Sequence, residues 1–210
     1  MKLYLSSYRI GGDRGVLRDL TGSGRRAGIV MNACDPFDDR LAAWPREEDD
    51  LRSLGFDVVE IDLRRHVGTP ATLAAALAEL DLLWVVGGNT FALARAMDAS
   101  GFSAAAADPL ASGRLTYAGY SAGVCVTTPG FEGIHLMDDP DVVPAGYPPD
   151  ARPVALGWVP WRIVPHWDSD HPESAAADDA VQHLLQAQLP FRTLRDGRAI
   201  VVDGDVTRLV

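Results

Sequence analysis

The stretch Leu82-Leu83-Trp84-Val85-Val86-Gly87-Gly88-Asn89-Thr90-Phe91 decides the fold. Its apolar run is too short for a helix of ordinary length and too continuous for a strand with one wet face. It reads as a strand covered on both sides. Two glycines then turn the chain, and Thr90 caps a helical stretch over Phe91 to Met97, with Ser100-Gly101 behind it as a stop. A strand that passes through a tight turn into a helix is half of a βαβ unit, and the strand that follows must run parallel to it.

Strand-length apolar runs recur on both sides of this unit: Leu3 to Leu5, Gly28 to Met31, Val58 to Ile61 and Leu115 to Ala118, and later Ile163 to Val164 and Ala199 to Val202. Helical stretches fall between them at Trp44 to Leu54, stopped by Gly55, and at Pro70 to Glu79, entered through Thr69 as N-cap with proline in the first turn. A further one covers Ala175 to Gln186. Thr127 to Pro160 is rich in proline and has no helical period, so it reads as a long loop, and such loops in a compact domain tend to carry function. Phe191 to Val210, punctuated by Asp196-Gly197 and Asp203-Gly204, reads as an antiparallel β-meander. The expected fold is α/β: a doubly wound, mostly parallel sheet flanked by helices, with a small C-terminal β-meander, in a single domain over 1–210.

The chain has 210 residues and a formal net charge of −10, so it lacks the basic footprint that nucleic acid or an anionic membrane would require. No stretch approaches the length of a membrane span, and the N-terminus does not resemble a secretory signal. Cys34 and Cys125 are far apart and form no ligand pair. A soluble, cytoplasmic protein is expected, as a monomer or homodimer, with neither nucleic acid nor membrane as partner.

The sharpest chemical signal is Gly119-Tyr120-Ser121-Ala122-Gly123, which follows the strand at Leu115 to Ala118. A serine in a tight strand-to-helix turn presents its hydroxyl beyond the sheet, and the flanking glycines relieve crowding in that turn. A hydroxyl nucleophile needs a base, and His166 at the end of the strand Arg162-Ile163-Val164 is well placed to be one. His135 and His171 compete with it, whereas His66 and His183 read as surface residues. The orienting acid could be Asp138 or Asp139 from the proline-rich loop, with Asp141 read as solvated. The turn at Gly87-Gly88 offers backbone N–H groups to an anion or an oxyanion. A second chemistry is open at His166-Trp167-Asp168-Ser169-Asp170-His171, whose imidazoles and carboxylates could hold a divalent metal in a metal-dependent hydrolase. A non-catalytic protein that binds a small ligand at Gly87-Gly88 is a third reading.

Taken in order, Gly87-Gly88-Asn89-Thr90-Phe91, Gly119-Tyr120-Ser121-Ala122-Gly123, Asp138-Asp139-Pro140 and Pro165-His166-Trp167 resemble the peptidase E family of serine peptidases, the α-aspartyl dipeptidases, which are related to cyanophycinases and share the fold of class I glutamine amidotransferases. The resemblance implies a serine exopeptidase acting on small peptides, with no metal and no organic cofactor. It implies Ser121 as nucleophile, His166 as base, Asp138 as orienting acid with Asp139 in reserve, an oxyanion hole from the N–H groups of Gly88 and Ala122, and Asn89 and Thr90 lining the substrate cleft. One departure bears on specificity. Aspartyl dipeptidases of the family carry an arginine shortly after a glutamate in the segment following the histidine, and it is expected to pair with the substrate's aspartyl carboxylate. Here Pro172-Glu173-Ser174-Ala175-Ala176-Ala177-Asp178-Asp179 contains no cation. Guanidinium is hard to replace as a carboxylate reader, so a different or broader first-residue preference is expected, unless Arg152 or Arg162 substitutes from another loop. The acidic Asp168, Asp170 and Glu173 would suit the arginine-bearing polymer of cyanophycinases, although the chain is short for that branch.

Overall fold

Alternate residues of the central strands feed two separate cores, so both faces of the sheet must be covered. The computed structural model describes all 210 residues. Strands β1 (Lys2–Ser6), β2 (Arg26–Val30), β3 (Asp57–Glu60), β4 (Leu82–Val85) and β5 (Thr116–Tyr120) are interleaved with helices α1 (Arg14–Thr21), α2 (Trp44–Ser53), α3 (Pro70–Ala78), α4 (Thr90–Ser100) and α5 (Phe102–Ala111). Then come α6 (Ala122–Cys125), β6 (Arg162–Val164), α7 (Ser174–Gln186), β7 (Phe191–Thr193), β8 (Ala199–Asp203) and β9 (Val206–Leu209).

The main sheet has the order β3-β2-β4-β5-β1-β8-β9. Its first five strands are parallel, and β8 and β9 join antiparallel beyond β1. Leu82 and Trp84 of β4 pack with Tyr4, Ile29, Met31 and Ala118 beneath Leu17 and Leu20 of α1 and Leu51 of α2. Leu83 and Val85 face the other way, with Leu3, Leu5, Val30 and Tyr117 beneath α3, α4 and α5. This two-sided burial is what the continuous apolar runs require.

The structure adds two helices to the sequence reading. Helix α1 is only eight residues long and buries just Leu17 and Leu20, and its start is fixed locally by Asp13, whose carboxylate accepts the Gly15 N–H. Helix α5 is alanine-rich, which favours a helix, but contains Pro109, which opposes one. The antiparallel C-terminal strands are the hairpin β8/β9, which turns at Gly204 with φ of 58°. Strand β7 does not belong to a meander with them: it pairs in parallel with β6 in a separate two-stranded sheet, and the Arg195-Asp196-Gly197 segment carries the chain across to β8.

Thr127 to Pro160 is irregular apart from a single turn at Ile134–Leu136. One side chain pins much of it: the Arg95 guanidinium of α4 donates to the carbonyls of Pro140, Val142 and Ala151. Both cysteines are free thiols, and no helix is long and apolar enough to cross a membrane.

Candidate active site

Neighbouring parallel strands β4 and β5 end together, with Val85 beside Gly119, so the Gly87-Gly88 turn and Ser121 emerge side by side at their carboxyl ends. Open α/β sheets place their sites there. Ser121 has φ 49° and ψ −117°, a strained conformation for a residue with a side chain, and α6 begins immediately after it. The turn is tight enough that a Cβ on Gly123 would stand 2.3 Å from the Val85 carbonyl oxygen. Gly88 has φ 139°, and a Cβ there would meet the Ala33 carbonyl oxygen at 2.5 Å. Its N–H makes no hydrogen bond within the chain, which leaves it open to an incoming oxyanion.

His166 is buried and also adopts a positive φ, 61°. Its Nδ1 lies 2.8 Å from Asp196 Oδ1, and its Nε2 lies 3.8 Å from Glu173 Oε2. Burial holds the imidazole below its ordinary pKa, with nearby His171 acting in the same direction and Asp196 opposing. The ring is therefore neutral at neutral pH, as a general base must be. Glu173 is pushed up to about 7 by burial, helped by the charges of Asp138 and Asp196.

Ser7, just past the end of β1, ties these pieces together. Its carbonyl accepts the Ser121 N–H at 3.1 Å, while its hydroxyl accepts the His166 N–H at 2.8 Å and donates to Asp196 Oδ1 at 2.7 Å. Ser121 and His166 share a pocket of about 160 Å³ with Tyr8, Gly87, Gly88, Tyr120, His171 and Glu173. A roomier, more open depression of about 720 Å³ is bounded by Trp167, Asp168, Ser169, Asp170, Ser174, Asp178 and Arg195, and contains neither Ser121 nor His166.

Several residues expected at the site stand elsewhere. Asp138 does not reach His166; its carboxylate accepts the Thr90 N–H at 2.9 Å at the start of α4, and burial raises its pKa. Asp139 is exposed and accepts the Asp141 N–H. The carboxylate beside the imidazole is Asp196, which by sequence belongs to the Asp196-Gly197 turn. Asn89 is occupied in capping α4 through the Ala92 N–H and in holding the Asp139 carbonyl, and Thr90 is buried, so neither lines the pocket. Ala122 follows Ser121 at the start of α6, as an oxyanion donor would. Arg162 is spent on Glu132, and Arg152 is exposed beside Asp98, so neither supplies a cation to the pocket. His135 lies against His183, away from the site.

The fold does gather His166, His171 and Glu173, with ligand atoms within 4.8 Å of one another. The two imidazoles are stacked, however, with centroids 3.7 Å apart and planes 8° from parallel. Ring nitrogens bind metals in the plane of the ring, so two stacked rings do not direct their lone pairs at one ion. Asp168 and Asp170 border the other depression.

The family model for peptidase family S51 matches residues 42–210. The chain belongs to that family. A Drosophila melanogaster protein named "Probable alpha-aspartyl dipeptidase" is 30% identical over 97% of the chain and 83% of its own length. A Listeria innocua peptidase is 34% identical over 57% of the chain and 54% of its own length. Peptidase E of Salmonella typhi is 30% identical over 78% of the chain, which thus spans 65% of that relative. A crystal structure of a peptidase E-type protein from Listeria monocytogenes EGD-e superposes with a TM-score of 0.82 at 21% identity, covering all of this chain and 97% of that one, so the fold is shared throughout. Ser121, His166 and Asp196 all lie within the matched region of this peptidase.

Proposed function

We propose that this S51 peptidase is a serine exopeptidase that hydrolyses short peptides through Ser121, His166 and Asp196. The observation that carries the reading is the His166 Nδ1 to Asp196 contact of 2.8 Å behind a strained serine that lines the same pocket. Ser121 Oγ attacks the scissile carbonyl and passes its proton to His166 Nε2. The N–H groups of Gly88 and Ala122 receive the oxyanion, and His166 then protonates the departing amine, leaving an acyl-enzyme. Water, activated by the same imidazole, releases the acid and restores Ser121. Asp196 keeps the proton on Nδ1 and stabilises the imidazolium as it forms.

The small pocket favours a short substrate, and Glu173 is the acidic side chain lining it. A free α-ammonium group is the complementary charge, which makes the amino end of the peptide the end that is read. No Arg or Lys lines the pocket, so an aspartyl side chain on the acyl residue gains no ion pair, and uncharged first residues are preferred. The test is a dipeptide and tripeptide library varied at the first two positions, run with wild type and Ser121→Ala. Hydrolysis that disappears in Ser121→Ala and survives chelator supports the reading. Undiminished hydrolysis by Ser121→Ala, or loss of activity with EDTA, overturns it.

A further inference from the structure

Outside the pocket, α2 sets a cation against two of the lining side chains. Tyr8 and Tyr120 both line the pocket, their rings 5.7 Å apart and edge to face. The side chain that joins their hydroxyls is Arg46: Nη1 reaches Tyr8 Oη at 3.4 Å and Nη2 reaches Tyr120 Oη at 3.3 Å. The guanidinium is held in place from behind. Its Nε and Nη2 both donate to Glu47 Oε1, at 3.1 and 2.8 Å, and Glu47 is fully buried. Glu47 is anchored in turn by the Trp84 indole N–H at 2.9 Å and the Tyr120 hydroxyl at 2.9 Å. Only Nη1 is left with donor capacity, since its one bond is the long contact to Tyr8, and the Arg46 side chain is 40% exposed. A guanidinium oriented by a buried carboxylate, with one edge free beside a pocket, is prepared to receive a second carboxylate at little entropic cost.

The direction of the chemistry says which carboxylate. The imidazole that accepts the serine proton must deliver it to the departing amine, so the leaving residue lies on the His166 side of the scissile bond. Tyr8 stands beside the imidazole, its ring centroid 6.1 Å from that of His166, and the Arg46 guanidinium lies over the same tyrosine ring, 6.0 Å from its centroid. We infer that Arg46 binds the free C-terminal carboxylate of the leaving residue. Two further arginines, Arg9 and Arg14, share a neighbouring depression with Tyr8, but both are committed to Asp50.

This inference rests on the serine exopeptidase reading, and the test separates the two. Wild type, Arg46→Gln, Arg46→Lys and Arg9→Gln are each assayed on matched dipeptides ending in a free carboxylate or a carboxamide, with Ser121→Ala as the blank. The readout is the ratio of kcat/KM for acid over amide. A charged hydrogen bond made or missed predicts a wild-type ratio of about 10 to 100, falling to near one in Arg46→Gln through KM, partly restored in Arg46→Lys, and retained in Arg9→Gln. A ratio near one in wild type, or one that survives Arg46→Gln, overturns the assignment to Arg46, as does selectivity that disappears in Arg9→Gln instead. Absence of Ser121-dependent hydrolysis on every substrate removes the underlying reading. Because each protein is judged by a ratio, a general loss of folded enzyme in one variant does not imitate the predicted result.

Discussion

Replacing Asp196 with asparagine tests the site most directly, because the sequence and the structure point to different carboxylates. Asp196 Oδ1 accepts from His166 Nδ1 at 2.8 Å and from the Ser7 hydroxyl at 2.7 Å, so both donors converge on one oxygen. An asparagine that keeps its oxygen there preserves the tautomer and loses only the charge, which at about 1.5 to 3 kcal/mol corresponds to roughly 10- to 100-fold in kcat/KM. One that turns its amide nitrogen towards Nδ1 moves the ring proton to Nε2, where the imidazole can no longer accept from serine, and the loss approaches ~10⁴-fold. Asp138→Asn serves as the comparison. Asp138 contacts the Thr90 N–H, an interaction an amide oxygen also accepts, so kcat/KM is expected to stay within about threefold. The pH profile supplies a second, independent sign. Asp196 raises the pKa of both His166 and Glu173, so its neutralisation shifts the acid limb of kcat/KM to lower pH. Steady-state hydrolysis of a good dipeptide from pH 5 to pH 9 measures both effects. A severe loss in Asp138→Asn, with Asp196→Asn close to wild type, refutes the assignment of Asp196.

Three other substitutions have definite outcomes. Ser7→Ala keeps the backbone bond to Ser121 but removes the hydroxyl between His166 and Asp196, so kcat should fall by about 10-fold or more with little change in KM; a change confined to KM counts against a positioning role. Glu173→Gln should raise Tm relative to wild type at pH 8 and not at pH 5. The folded protein holds the Glu173 proton up to about 7, above the ordinary carboxylate value of 4.5, so the charged form costs stability only as pH rises through that range; thermal melts at the two pH values decide it, and equal Tm at pH 8 contradicts the burial argument. Gly88→Ala places a methyl group 2.5 Å from the Ala33 carbonyl oxygen at a φ of 139°, so a loss of about 1 to 3 kcal/mol in denaturant melts is expected, together with a larger proportional loss of kcat from the displaced oxyanion donor.

The parallel core was legible because its signals are local. Each of β4 and β5 carries its burial in a continuous apolar run, and the glycines after each strand mark turns where a Cβ has no room, as Gly123 against Val85 demonstrates. Ser121 and His166 were legible for the same reason: each ends a strand, and strand ends in such sheets converge. Asp196 was not, because nothing near it in sequence distinguishes a carboxylate that orients an imidazole from one that opens a turn before glycine. Its role depends on β7 leaving the C-terminal strands to pair with β6, which sets Leu194 beside Val164 and delivers the next turn to His166. That pairing is parallel and non-local, with no periodic signature in a three-residue strand. Ser7 escaped notice similarly, since it is an ordinary serine at the end of β1 until β5 and β6 arrive on either side. The charge balance was misplaced too. Among the acidic residues grouped around the site by sequence, Asp168 and Asp170 turn to a different depression, Asp138 faces the start of α4, and Glu173 alone lines the pocket. The segment after His166 lacks a cation, whereas on α2 the pairing of Arg46 with buried Glu47 sets a guanidinium against Tyr8. On the proposed role of Arg46, an acidic chain still offers a fixed positive group to the carboxyl end of a peptide, because the local arrangement of one arginine, and not the net charge, decides what that end meets.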